Sequence, residues 1–335
     1  MNTSDNLEEH SNLYVEGPIT LTRHDGFGKT IYIFGDNHVI FDHPCPVEYD
    51  KAFIIHIADF LEAICNEHHI YRLPLDIFLE TDMFYKTQEE FKSNYSDGLA
   101  MIFTSNILLK KYHTTPYNKY IRVHYTDLRT SCGHIPNNEY IKLYDMCEVS
   151  LFLHNLPFYI ESGTVTTEII NFLNNIQLDM NNILKQLEIF EDISHLNKNI
   201  NAITIPFIRE DLEDRKIIAR RQNFEYAKNL IETLQEYIYE VENAKNTEEY
   251  LLETILEHKY FFLKDYMDIY LLSRIFKTFK DGLDTERVII YVGDAHADDY
   301  REQLTNWGFV QQIIQSNNND NTCVHIPSRY LPFFT

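Results

Sequence analysis

Two segments of this chain are nearly the same, and together they constrain the fold more than anything else in it. Ile31-Tyr32-Ile33-Phe34-Gly35-Asp36-Asn37-His38 lies near the start, and Val288-Ile289-Ile290-Tyr291-Val292-Gly293-Asp294-Ala295-His296 near the end. Each is a strongly apolar strand pattern that runs into Gly-Asp-x-His. In a parallel α/β sheet the carboxyl ends of the strands form the ligand crevice. Glycine lets the backbone turn sharply there. Asp and His at i and i+2 of an extended segment point the same way, so a carboxylate and an imidazole can converge on a metal or a reacting atom. A Gly-Asp turn followed by a surface His is the plainer reading of either copy alone. Two copies, both at the ends of core strands, favour a site.

The segments between them fit such a sheet. Ile19–Arg23 and Thr30–Phe34 read as strands joined by a turn over His24–Gly28. Ala52–Glu67 has apolar residues at helical spacing, Leu75–Leu79 is a short apolar strand, Leu99–Tyr112 a second helix and Ile121–Leu128 a third β segment. This β-α-β-α-β order predicts parallel crossovers. From 166 to 280 the period changes to 3.6 and breakers almost vanish. Strand texture returns at Arg287–Val292. A helix is expected over Asp299–Trp307, then closing strands over Val310–Gln315 and Thr322–Ile326. The expected fold is therefore α/β: a central, mostly parallel sheet with flanking helices and a large helical insertion. Residues 1–17 would be a flexible tail and 18–165 the first half of the α/β domain. Residues 166–280 would form a helical subdomain, and 281–335 the strands that complete the sheet.

Charge narrows the function classes. Lys and Arg total 29 against 51 Asp and Glu, a net charge of −22. Nucleic acid and anionic membranes select basic surfaces, so neither is expected as a partner. No run of about 18 apolar residues occurs, so no membrane insertion is expected. Met1–Gly17 has neither a basic n-region nor an apolar h-region, so no secretory leader is expected. The five cysteines are odd in number, scattered and without C-x-x-C spacing. That suggests reduced cysteines in a cytoplasm and argues against a cysteine zinc site.

Candidate site residues follow from the strand ends. Glu80 closes the strand Asp76–Leu79, and a carboxylate there sits at the crevice. Asp127 and Arg129 lie on one face near the end of the third β segment. Arg129 could bind an anionic group or an oxyanion, or simply pair with Asp127 on the sheet. Asp36, His38, Glu80, Asp127, Arg129 and His296 form the candidate catalytic set, and His38, Glu80, Asp294 and His296 the candidate ligands for a divalent metal. A mixed N/O set suits Mn²⁺, Zn²⁺ or Fe²⁺ better than Ca²⁺. G-x-S-x-G, H-E-x-x-H, P-loop and G-x-G-x-x-G are all missing, so no nucleotide cofactor is expected.

The order of these elements resembles the erythromycin esterase / ChaN / Tiki / Pasteurella-toxin superfamily, to which TraB-type proteins also belong. The features are a strand ending in Gly-acid-x-His, an acid ending the next strand, a helical insertion and a late strand ending in Gly-x-x-His. The matching residues are Asp36 and His38, Glu80, and Asp294 and His296. Proteins of large DNA viruses look similar around His124–Arg129 and Met267–Arg274. The resemblance implies hydrolysis or related chemistry at a His/carboxylate site, in some members with a divalent metal, and leaves the substrate open. One departure is Asp36 where the family usually has Glu, a side chain one methylene longer. A metallophosphoesterase also opens with strand-G-D-x-H, but its G-D-x-x-D and G-N-H-[D/E] motifs are missing here. A third reading is an inactive scaffold that binds a host protein partner, which the acidity and the helical block would suit.

Overall fold

The computed structural model describes residues 13–37, 45, 53–80, 120–126, 194–242, 264–278, 284–315 and 322–327, with single helical positions at 104, 107–108, 111–112 and 174. The chain divides into two compact units, Met1–Thr126 with Thr278–Thr335, and Asp127–Lys277.

The first unit is α/β. Its strands are β1 (Leu13–Glu16), β2 (Thr20–Gly26), β3 (Lys29–Asp36), β4 (Ile54–His56), β5 (Leu75–Leu79), β6 (Ile121–Tyr125), β7 (Arg287–Gly293), β8 (Val310–Gln315) and β9 (Cys323–Ile326). Helix α1 spans Ile57–Tyr71. The main sheet has six strands in the order β6-β5-β7-β3-β2-β8. β6, β5, β7 and β3 run parallel, while β2 and β8 join antiparallel at one side. The sheet is thus mixed. The central position of β7 explains its sequence. It is covered on both faces, so nearly every residue from Val288 to Val292 is apolar and none is solvent-exposed. One face packs Tyr32, Phe34, Ile77, Leu79, Ile289 and Tyr291 against Phe60, Leu61 and Ile64 of α1. By alternation the other carries Ile31, Ile33, Phe78, Ile290 and Val292, all buried.

Several boundaries differ from the sequence reading. Leu13–Glu16 falls in the expected tail yet forms β1, which pairs with β4 and β9 in a separate three-stranded sheet. The helix expected from Ala52 starts only at Ile57, after β4. His56 caps it, its Nδ1 accepting from the Ala58 N–H at 3.1 Å. The β2–β3 turn is only Phe27-Gly28, both at positive φ (49° and 72°), as a two-residue hairpin loop requires. Cys45 and Cys323 form a disulfide, against the reduced cysteines that the odd count suggests.

In the second unit the described residues form α2 (Ser194–Asn201), α3 (Pro206–Glu242, opening on Pro at its first position) and α4 (Lys264–Phe276). These three helices pack on one another, with an isolated bridge between Ile203 and Lys277. No helix among the described residues is long and apolar enough to cross a membrane.

Candidate functional site

The carboxyl ends of β3, β7 and β5 meet at one edge of the sheet in the first unit, and the two Gly-Asp copies behave differently there. At the first copy β3 continues through Gly35 and Asp36, and Asp36 is in register with Gly293. Asp36 extends the Tyr32–Phe34 alternation toward the α1 side. There the Tyr291 hydroxyl donates to its Oδ2 at 2.6 Å. Burial, reinforced by the Asp36 charge, pushes the Tyr291 phenol far above its ordinary pKa, so it stays a donor.

At the second copy the strand stops. Gly293 is the N-cap of α5 (Asp294–Asn306), five residues earlier than the sequence reading puts a helix. Consecutive helical residues are rotated by about 100°, so Asp294 and His296 diverge by roughly 200° instead of pointing together as they would in a strand. Asp294 turns to β2: its Oδ1 accepts from Thr20 Oγ1 at 2.6 Å and from Arg301 Nη1 at 3.2 Å. Arg301, itself buried, also donates to Thr20, Thr22 and Asp298. Gly35 is required here, because a Cβ at that position would overlap Asp294 Oδ1 and Thr20 Oγ1.

His296 turns the other way. Its Nε2 lies 3.5 Å from Glu80 Oε1, and the two side chains are only 7% and 6% exposed. Glu80 is fixed from two sides. Its N–H donates to the Tyr291 carbonyl at 3.1 Å, and its Oε2 accepts from the Gly293 N–H at 2.6 Å. The carboxylate therefore sits against the amino end of α5, where the helix dipole favours negative charge. The His296 ring stacks near Tyr300, one turn along.

Of the expected site residues, Glu80 and His296 come together. Asp36 follows the strand alternation to the face where the Tyr291 hydroxyl bonds it. Asp294 is held by Thr20 and Arg301 on the β2 side. Asp127 and Arg129 lie outside the described residues, and so does His38, one of the expected metal ligands. Catalytic zinc takes three protein ligands, and among the described residues no group of three or more His, Cys, Asp or Glu could hold an ion. Glu80 also commits one oxygen to a backbone N–H.

A second polar cluster lies at the opposite, amino-terminal edge. Arg122 on β6 grips Asp76 on β5 with two bonds of 2.6 and 2.8 Å, and His124 Nε2 meets the same carboxylate at 2.8 Å. Arg122 also donates to Thr285, whose carbonyl takes the Lys29 ammonium at 2.6 Å. Burial alone would raise the Asp76 pKa, but the His124 and Arg122 bonds win and hold it well below the usual carboxylate range. The sequence hint was the i, i+2 spacing of Arg122 and His124, which puts both on one face of the strand, but nothing in it names Asp76 as their partner.

No protein-family model, curated protein or solved structure matches this chain.

Proposed function

We propose that the protein is a hydrolase that uses Glu80 and His296 as its acid–base pair. The observation that supports this is the Glu80–His296 approach, nearly buried, at the carboxyl edge where α/β sheets bind ligands. Glu80 accepts from the Gly293 N–H, which holds its carboxylate beside the imidazole that it orients. A neutral His296 takes a proton from water as the water attacks the substrate, and later returns it to the leaving group. The 3.5 Å separation is long for a hydrogen bond and would tighten when substrate excludes water. His38, which the sequence pattern places at the end of the first Gly-Asp copy, is the third member of the proposed set. A divalent ion, held by Glu80 and His296 with His38, would supply Lewis-acid activation of the water.

The test is a screen of the purified chain against chromogenic carboxylic esters and phosphate mono- and diesters. Turnover should fall about 10²-fold or more in His296→Ala and by a similar order in Glu80→Gln. Both variants should melt within a few degrees of the parent. Variants that turn over normally would end the reading.

A further inference from the structure

The smallest sheet in the protein gathers three distant parts of the chain. β1 (four residues), β4 (three) and β9 (four) come from positions near 15, 55 and 325. Strands of three or four residues lie at the short end of the usual range and hold few ladder bonds. Val15, Val324 and Ile326 join this sheet to the core around α1, with Leu13 and Ile55 packed against it, and Tyr14 stacks on His325 at 5.1 Å. This is also where the one cross-link among the described cysteines falls. Cys323 opens β9 opposite Glu16 of β1, and Cys45 lies in the connection between β3 and β4. Their Cα atoms are 5.0 Å apart, inside the range that a disulfide spans without moving the backbone. Both residues are buried. The bond closes a loop of 278 residues, and long loops are those whose closure removes most freedom from the unfolded chain.

We propose that Cys45–Cys323 is a structural cystine that completes the fold, so that this chain reaches its full stability only under oxidising conditions, as in a compartment where thiols become disulfides. The reduced cytoplasm expected from the cysteine count is replaced by this reading. The inference is independent of the hydrolase reading, since neither cysteine belongs to the Glu80–His296 pair. The chemistry balances with a low-molecular-weight disulfide such as glutathione disulfide. One cysteine thiolate attacks it, forming a mixed disulfide and releasing a glutathione thiolate. The second cysteine thiolate then attacks the bound protein sulfur and releases the other glutathione. Two electrons and two protons leave the protein as two glutathione thiols. Cys65 does not compete in the folded chain. It is buried on α1, and desolvation pushes its thiol well above the ordinary range.

The full-length chain would be folded in reduced glutathione alone and in a mixture rich in glutathione disulfide. Each sample is then quenched, alkylated and digested without reductant for mass spectrometry. If the chain does not refold, native protein with and without a phosphine reductant gives the same comparison. The expected result is a peptide pair linked through Cys45 and Cys323 in the oxidised sample only, with a melting temperature on the order of 10 °C higher than the reduced one. Cys45→Ser, Cys323→Ser and the double variant should all melt with the reduced parent and ignore the redox buffer. Alkylation of both cysteines in the oxidised sample would overturn the proposal. A linked protein that melts with the reduced one would overturn it equally.

Discussion

At Gly35 the absence of one carbon decides how a helix docks. Its missing Cβ leaves room for Asp294 and Thr20 to meet over β3. Gly35→Ala should therefore destabilise the fold by about 2 kcal/mol, in the range of overpacked cores, measured by urea unfolding. His24 shows a different economy of space. It is buried beside Thr22, to whose hydroxyl its Nε2 is bonded at 3.2 Å, and desolvation together with the nearby Arg301 charge lowers its pKa to about 4. An unfolded His titrates near 6.5, so between pH 6.5 and 4 the unfolded chain takes up a proton that the native protein refuses. The contribution of a neutral His24 is thus whole above pH 6.5 and is lost as pH falls toward 4. It is worth about 3 kcal/mol. His68 is lowered to about 4 as well, first by its own burial, and adds to the same acid limb. His24→Gln should flatten that limb, which stability curves at pH 7 and pH 4.5 would show.

Among the elements, α5 carries two tasks in its first two turns, and the division follows from its geometry. Asp294 and Arg301 bolt the helix to β2 through Thr20 and Thr22, while His296 faces Glu80. Arg301→Met removes the bolt and leaves Asp294 without its guanidinium. The expected loss is about 3 kcal/mol by chemical denaturation, as for one partner taken from a buried pair. The start of this helix was the least legible feature of the sequence. Asp294-Ala-His-Ala-Asp-Asp has almost no apolar period, so it reads as the tail of the strand before it. The strands themselves were legible, because β3, β5 and β7 are buried on both faces and need unbroken apolar runs. β1 and β4 were not, being too short to show an alternation. Of the site, Glu80 and His296 could be found from strand ends. That Asp36 points to the other face could not, because a Gly-Asp pair looks the same whether the strand continues through it or stops.

For the whole molecule the excess of acid has a cost. A net charge of −22 repels itself most in the compact state. Raising NaCl from about 10 mM to about 150 mM shortens the screening length from about 30 to 8 Å. The melting temperature should rise over that range by a few degrees in a salt series at constant pH, and a flat or falling series would contradict it. The strand order sets a further condition, one of timing. β7 sits between β3 and β5, yet about two hundred residues separate it from β5 in the chain. At about 5–20 residues per second, a ribosome would need some 10–40 s to deliver it. Throughout that interval β3 and β5 each present an open, apolar edge with no partner between them. Nascent chains of this protein therefore pass through a long stage in which two core strands wait, exposed, for the one that joins them.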